Sequence, residues 1–340
     1  MKKVSIVGLD LAKNTIQVHG AAADGSIIFR RKVSNGKLLE FLSGINPCTV
    51  AMEACAGSHY WGREIGRLGH HVRLIAPKYV KPFVKRQKND AADAEAICEA
   101  ALRPTMRFVA VKSEAKQASA ILFKVRDLLV RQKTQIIHAL RGLLAEFGVV
   151  VAQGPAHVGI LIEYVEDPCS NLPEAARAPC LALVATLRSL VGEVRELDQE
   201  IARRSRQDDV AKRLMTIPGV GPIIATALEA LAPPAETFSR GRDFSAWMGL
   251  TPRQHSTGGK AKLGKTSKMG KRDLRRLLII GASAVVRWAS KHGAAEGSWL
   301  SRMIGRKPPM LITVALANRM ARIAWALMTN GSRYEATRAA

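Results

Sequence analysis

Val4-Ser5-Ile6-Val7-Gly8-Leu9-Asp10 and Thr49-Val50-Ala51-Met52-Glu53 are two short apolar runs that each end on a carboxylate, and reading both as strands decides the fold. Runs of this length, rich in β-branched residues, pack well in a pleated sheet. Just after the first run, Thr15-Ile16-Gln17-Val18-His19 reads as a second strand. A turn at Asp24-Gly25 leads into Ile27-Ile28-Phe29 and the stretch to Val33, which completes a three-stranded meander. A short helix from Lys37 to Leu42 precedes the second run. After it come a helix from Trp61 to Leu68 and a strand, His71-Val72-Arg73-Leu74-Ile75, stopped by Pro77.

A meander followed by strands joined through helices describes a mixed α/β sheet covered by helices, the order used by ribonuclease-H-like nuclease folds. Parallel strands gather their C-terminal ends at one edge, so Asp10 and Glu53 can share a metal there. Asp90 and Asp93 lie three apart in Lys88-Asn89-Asp90-Ala91-Ala92-Asp93-Ala94, and on a helix that spacing places both on one face. Hard oxygen donors suit Mg2+ or Mn2+, and a pair of such ions stabilises both the attacking and the leaving oxygen in phosphoryl transfer. An Asp after a strand, taken singly, is usually a turn or cap residue. The joint order of the four carboxylates inside a basic chain is what argues for chemistry.

The chain has 340 residues, enough for two or three domains, and carries 52 Lys and Arg against 28 Asp and Glu, a formal charge of +24. Such an excess repels itself unless a polyanion relieves it. Nucleic acid is expected over membrane, because no stretch approaches the ~18 apolar residues of a spanning helix. The run behind Met1-Lys2-Lys3 ends at Asp10, too soon for a signal peptide, and the expected location is the cytoplasm, on the nucleoid when bound to DNA. Five cysteines without a C-x-x-C pair argue against a disulfide framework and a structural zinc site, and predict reduced, buried thiols. His59, His70, His71 and His138 show no ligand spacing and read as structural. With aromatics at 5%, phosphate contacts rather than base stacking should dominate binding.

In the middle third, Leu122, Val125, Leu129, Gln132, Ile136, Ala139 and Leu143 fall at alternating steps of three and four, as do Leu183, Leu187, Leu190, Val194, Leu197 and Ile201. These stripes predict two helices that pair as an antiparallel hairpin, dimerise as a coiled coil, or pack on their own domain. The Pro- and Gly-bearing stretch from Gly148 to Pro179 reads as an irregular insert between them. Further on, Ile217-Pro218-Gly219-Val220-Gly221-Pro222 between helical runs reads either as a helix-hairpin-helix turn, with Gly219 and Gly221 bringing backbone amides to a phosphate, or as a plain loop. From Gly249 onward there are 18 Lys or Arg and 3 Asp or Glu. Arg253, Lys260, Lys262, Lys265, Lys268, Lys271, Arg272, Arg275 and Arg276 are the expected nucleic-acid contacts.

Five segments, in this order, resemble the DEDD-type transposases of bacterial insertion sequences from end to end: Gly8-Leu9-Asp10-Leu11-Ala12-Lys13, Met52-Glu53-Ala54 with Gly57, Lys88 to Ala94, Ile217 to Gly221, and Gly249-Leu250-Thr251-Pro252-Arg253-Gln254-His255-Ser256-Thr257-Gly258-Gly259-Lys260. The resemblance implies an N-terminal domain like the Holliday-junction resolvases (RuvC-like), a helical middle and a separate C-terminal transposase domain, placed at 1–110, 111–209 and 210–340. It implies metal binding by Asp10, Glu53, Asp90 and Asp93, with Mg2+ or Mn2+ as cofactor. It further implies an element-encoded bridge RNA that pairs with donor and target DNA, action as a dimer or tetramer, and a serine nucleophile in the C-terminal domain. Ser256 and Thr257 both compete for that last role; Ser256 is favoured because a primary hydroxyl attacks phosphorus with less crowding. Carboxylates in the first domain and a hydroxyl in the last suggest a composite active site, formed within or between chains. The rival readings are a resolvase-type nuclease that uses water, and a nucleic-acid-binding protein without catalysis.

Overall fold

The computed structural model describes residues 3–85 and 90–335, with the side chains of Asp90 and Ala91 outside the description. Contacts divide the chain into two compact units, Met1–Gln117 and Ala118–Ala340.

In the first unit the strands are β1 (Ile6–Leu11), β2 (Thr15–Ala21), β3 (Ile27–Ser34), β4 (Thr49–Glu53), β5 (His71–Ile75) and β6 (Phe108–Val109). They form one sheet in the order β3-β2-β1-β4-β5-β6. The meander is antiparallel, β1, β4 and β5 are mutually parallel, and β6 adds antiparallel at the far edge. Helices α1 (Leu38–Ser43) and α2 (Ser58–Arg67) connect the strands, α3 (Pro77–Val80) follows β5, and α4 (Asp90–Ala101) precedes β6. The mixed sheet expected from the sequence is therefore present, within a residue or two at most ends. The short edge strand β6 is the element that the sequence reading did not anticipate, being only two residues long.

Alternation along the strands sorts side chains onto two faces. Val7, Leu9, Val50, Met52 and Leu74 pack with Leu38 and Leu42 of α1 and Ile65 of α2. Ile6, Ala21, Ala51 and Ile75 pack on the other face with Ala96, Ile97, Cys98, Ala100 and Ala101 of α4. That second face carries Gly8 between Ile6 and Asp10. A Cβ at Gly8 would lie 2.3 Å from the Ala94 carbonyl oxygen and 2.8 Å from Cys98 Sγ. Only a residue without a side chain lets the backbone of α4 come this close to β1.

The second unit is helical. Helices α5 (Glu114–Ala145) and α7 (Glu174–Gln207) pair Arg126 with Asp198 and meet at Phe123 and Ile201 near one end and at Leu140 and Val184 near the other, so they run antiparallel. The hairpin reading thus describes the fold of one chain. Along α7, Leu187, Val194 and Ile201 are buried as the stripe required, whereas Val125 and Leu143 of α5 are exposed and its buried positions are Ala120, Phe123, Leu140 and Leu144. The stretch read as an irregular insert holds helix α6 (Val158–Glu166) and the first turns of α7, with Pro179 inside the helix. Tertiary contacts override the local signal here. The guanidinium of Arg177, 7% exposed, donates to the carbonyls of Val165, Asp167, Ser170 and Leu172, and Arg141 donates to those of Val151, Ala152 and Gly154.

At the other end of the hairpin, Ala120, Phe123 and Ile201 join a core built from α8 (Asp209–Leu214), α9 (Pro222–Leu231), α10 (Gly241–Trp247), α11 (Arg272–His292) and α13 (Pro309–Asn330). A small hairpin of β7 (Pro252–Gln254) and β8 (Leu263–Thr266) projects between α10 and α11, and α12 (Trp299–Met303) precedes α13. By length and composition α7 and α13 are apolar enough to cross a membrane, contrary to the expectation from unbroken apolar runs. Their buried faces pack in these cores, as the central helices of folded domains do. Cysteine burial also departs from expectation: all five thiols are free, but only Cys98 and Cys180 are buried, while Cys55 and Cys169 are exposed.

Replacing Gly8 with Ala should destabilise the first unit by at least about 1–3 kcal/mol, the usual range for overpacking, because a backbone carbonyl must move. Urea unfolding followed by far-UV circular dichroism checks this; an unchanged midpoint would mean that α4 does not approach β1 as described.

Candidate active site and nucleic-acid interface

Register brings the first two carboxylates together. In the parallel pair Leu9 lies beside Met52, so one further step places Asp10 beside Glu53 at the C-terminal edge of the sheet. Both lie on the α4 face, two residues beyond Gly8 and Ala51 respectively. Asp93 stands in the first turn of α4, which the contact at Gly8 holds over β1. Asp90 opens the same helix, but its side chain lies outside the described residues.

The electrostatics show the convergence. Burial pushes the Glu53 carboxyl above its ordinary value, and the negative charges of Asp10 and Asp93 push it further the same way. The Cys55 thiol, not anticipated as a neighbour, is raised by burial and by the charges of Glu53 and Asp10. Among the described residues, no group of three or more His, Cys, Asp or Glu side chains is drawn together closely enough to hold a metal ion. The charges of Asp10 and Asp93 thus act against that of Glu53 across an open cluster. A divalent cation would relieve that repulsion, and the donors are the hard oxygens that Mg2+ or Mn2+ prefers.

In the second unit, Ser256 and Thr257 occupy the exposed turn of the β7–β8 hairpin. Thr257 pairs with Lys260 across Gly258 and Gly259, whose φ angles of 54° and 77° give the left-handed two-residue turn that suits a twisted hairpin. The Lys262 amide points at Ser256 Oγ, 3.4 Å away, and the His255 amide donates to the Lys262 carbonyl at 2.8 Å. Between residues 252 and 266 the chain carries Arg253, Lys260, Lys262 and Lys265, all exposed, and no carboxylate. The stem is firmly held. Arg275 donates to the Met248 carbonyl at 2.9 Å, Asn318 donates to the Leu250 carbonyl at 3.2 Å, and the Lys268 amide donates to the Gly249 carbonyl at 3.2 Å.

The basic run therefore divides by environment. Lys268 and Arg272 are exposed like the hairpin cations, whereas Lys271 pairs with Asp273, Arg275 serves the stem, and Arg276 pairs with Asp127. In the turn between α8 and α9, Gly219, with φ of 83°, packs on α11, where a Cβ would lie 2.7 Å from the Gly281 carbonyl oxygen. Gly221 is exposed, and a Cβ there would meet no atom within 4 Å. His70 is structural, accepting from the Cys48 amide and facing the Leu42 carbonyl, and His59 accepts from the Lys112 amide.

A mixed sheet with carboxylates gathered at its parallel edge, followed by a helical region with a basic hairpin, is an arrangement compatible with a DNA-processing phosphotransfer protein. Residues 7–148 match a family of DEDD transposases, and residues 211–296 match the family described as "Transposase IS116/IS110/IS902 family". The chain is 46% identical over 339 residues to a "Probable family 20 transposase" of Pseudomonas aeruginosa, covering 97% of this chain and 98% of that protein. It is 38% identical to the transposase for insertion sequence element IS1328 of Yersinia enterocolitica, over 98% of this chain and 99% of that one. The corresponding transposase of IS1111A from Coxiella burnetii is 36% identical, over 98% and 92%. The chain belongs to the IS110/IS116 family of insertion-sequence transposases, enzymes that cut and rejoin DNA.

Two outcomes follow. Because the Glu53 pKa is raised in the folded state, the folded protein binds more protons than the unfolded one between the two values, and stability falls as pH rises through that window. Glu53→Gln should remove that fall, giving a higher urea midpoint than the parent above the window and an equal one below it, measured in chelator. Separately, changing Lys260, Lys262, Lys265 and Lys268 together to Gln should reduce the salt dependence of DNA binding by up to about 0.9 in log–log slope per lost phosphate contact. Arg275→Gln should instead lower the melting temperature; a large change of slope from Arg275→Gln alone would reverse this division of roles.

Proposed function

We propose that the chain catalyses RNA-guided DNA strand cleavage, exchange and rejoining through a phosphoseryl intermediate. On this reading, the first unit is ribonuclease-H-like, and Asp10, Glu53, Asp90 and Asp93 hold divalent metal, Mg2+ or Mn2+. The observation that carries it is the register that sets Asp10 beside Glu53 at the C-terminal edge of the parallel strands, with Asp93 in the first turn of the helix that Gly8 admits over β1. Bound metal supplies charge stabilisation at phosphorus.

The nucleophile assigned is Ser256, with Thr257 the alternative. Its Oγ forms a bond to phosphorus, the bond from phosphorus to the departing deoxyribose oxygen breaks, and the hydroxyl proton is passed to that oxygen. The ester linkage is conserved, so the reverse reaction reseals a strand without ATP. The exposed turn places this hydroxyl among Arg253, Lys260, Lys262 and Lys265, which can hold the flanking phosphates, while Gly221 and the start of α9 offer a further backbone contact. Donor and target DNA are the substrates, and the element-encoded bridge RNA aligns them; a net charge of +24 accommodates more than one polyanion. The working form is a dimer or tetramer in the cytoplasm, on the nucleoid when bound to DNA.

Ser256→Ala should abolish the covalent protein–DNA adduct and strand exchange while leaving the melting temperature and RNA binding intact, since an exposed turn hydroxyl contributes little to stability. Thr257→Ala should be milder. Mass spectrometry on DNA interrupted near the cleavage site reads which side chain carries phosphate. An adduct on Thr257 moves the nucleophile by one residue, and normal recombination by both variants assigns attack to water.

A further inference from the structure

Glu95 lies two residues beyond Asp93 on α4, and its carboxylate bridges two other parts of the first unit. Oε2 accepts from Arg30 Nη2 of β3 at 2.5 Å, and Oε1 accepts from Lys85 Nζ, which follows the turn after α3, at 2.7 Å. The Glu95 side chain is 20% exposed, whereas Arg30 and Lys85 are 49% and 77% exposed. The charges of Arg30, Lys85, Glu95 and Glu99 all act on the imidazole of His19 on β2, which is 3% exposed. Glu99, one turn further along α4, pairs locally among the described residues, with Arg103 at 2.9 Å.

The rest of the interface between α4 and the sheet is apolar, with Ile6, Ala21, Ala51 and Ile75 against Ala96, Ile97, Cys98 and Ala100. Two hydrogen bonds direct the later turns of the helix: Cys98 Sγ donates to the His19 carbonyl at 3.3 Å and Arg73 to the Ala101 carbonyl at 3.1 Å. In the turn that carries Asp93 the close contact is Ala94 on Gly8, which fixes distance rather than direction. A carboxylate at Glu95 reaching two cations on different elements supplies direction there. We infer that Glu95, with Arg30 and Lys85, is a positioning residue that holds α4 in the rotation and axial register where Asp93 faces Asp10 and Glu53. The inference rests on the carboxylate metal site proposed above.

The test is Mn2+ binding by calorimetry to the full chain, with DNA cleavage measured against Mn2+ concentration. Glu95→Gln, and the double variant Arg30→Gln/Lys85→Gln, should each raise the Mn2+ Kd by about tenfold, the low end for residues that support metal ligands indirectly. The half-saturating Mn2+ for cleavage should move equally, with near-parent rates at saturation. A merely architectural role would lower the melting temperature and the rate at every Mn2+ concentration without moving Kd. Glu99→Gln should match the parent. Parent-like Mn2+ binding by Glu95→Gln and by the double variant, with binding lost in Glu53→Gln, overturns the inference alone. Parent-like binding and cleavage by Glu53→Gln and Asp10→Asn overturns the metal site and the inference with it. Should Glu95→Gln fail to fold, the double variant decides, since both its side chains are largely exposed.

Discussion

The approach of α4 to β1 at Gly8 governs the arrangement of the first unit. Strand C-termini collect Asp10 and Glu53 by topology alone, but Asp93 arrives on a separate helix, and its place depends on how near that helix comes. Each carboxylate added to the cluster raises the electrostatic energy of the others. The apolar contacts between α4 and the sheet must therefore hold together groups that repel.

Much of this was legible in the sequence because the signals were local. The strand ends at Asp10 and Glu53, the meander and the carboxylate spacing in α4 all follow from short-range pattern. What was not legible depended on distant partners. Pro179 reads as a helix breaker, yet Arg177 beside it gathers the carbonyls of the preceding loop and the helix forms through the proline. The stripe assigned to α5 is displaced from its buried positions, because α5 buries side chains only near its ends and meets its neighbours between them through ion pairs such as Arg126–Asp198 and Asp127–Arg276. Arg275 and Arg276 looked like the lysines around them, and only the fold shows that they serve the Met248 carbonyl and Asp127.

The second unit separates rigidity from exposure. Ser256 and Thr257 sit on a mobile-looking Gly-Gly turn in sequence, but the strands that carry them are tied back to α10, α11 and α13 through main-chain and side-chain hydrogen bonds. A hydroxyl acting in the proposed way would be open to a large substrate while its position is limited by a packed core. The cations of the turn share the same support.

The helical hairpin carries two centres of apolar packing, one at Phe123 and Ile201 and one at Leu140, Leu161, Val165 and Val184. Between them, residues 124–139 of α5 contain no buried side chain. A helix of 32 residues spans about 48 Å at 1.5 Å per residue, so the two centres lie far apart on the same rods. Opening one centre need not open the other. Amide hydrogen exchange along this pair should accordingly resolve into two protected zones with a faster-exchanging waist, each zone opening with its own free energy rather than as one cooperative block.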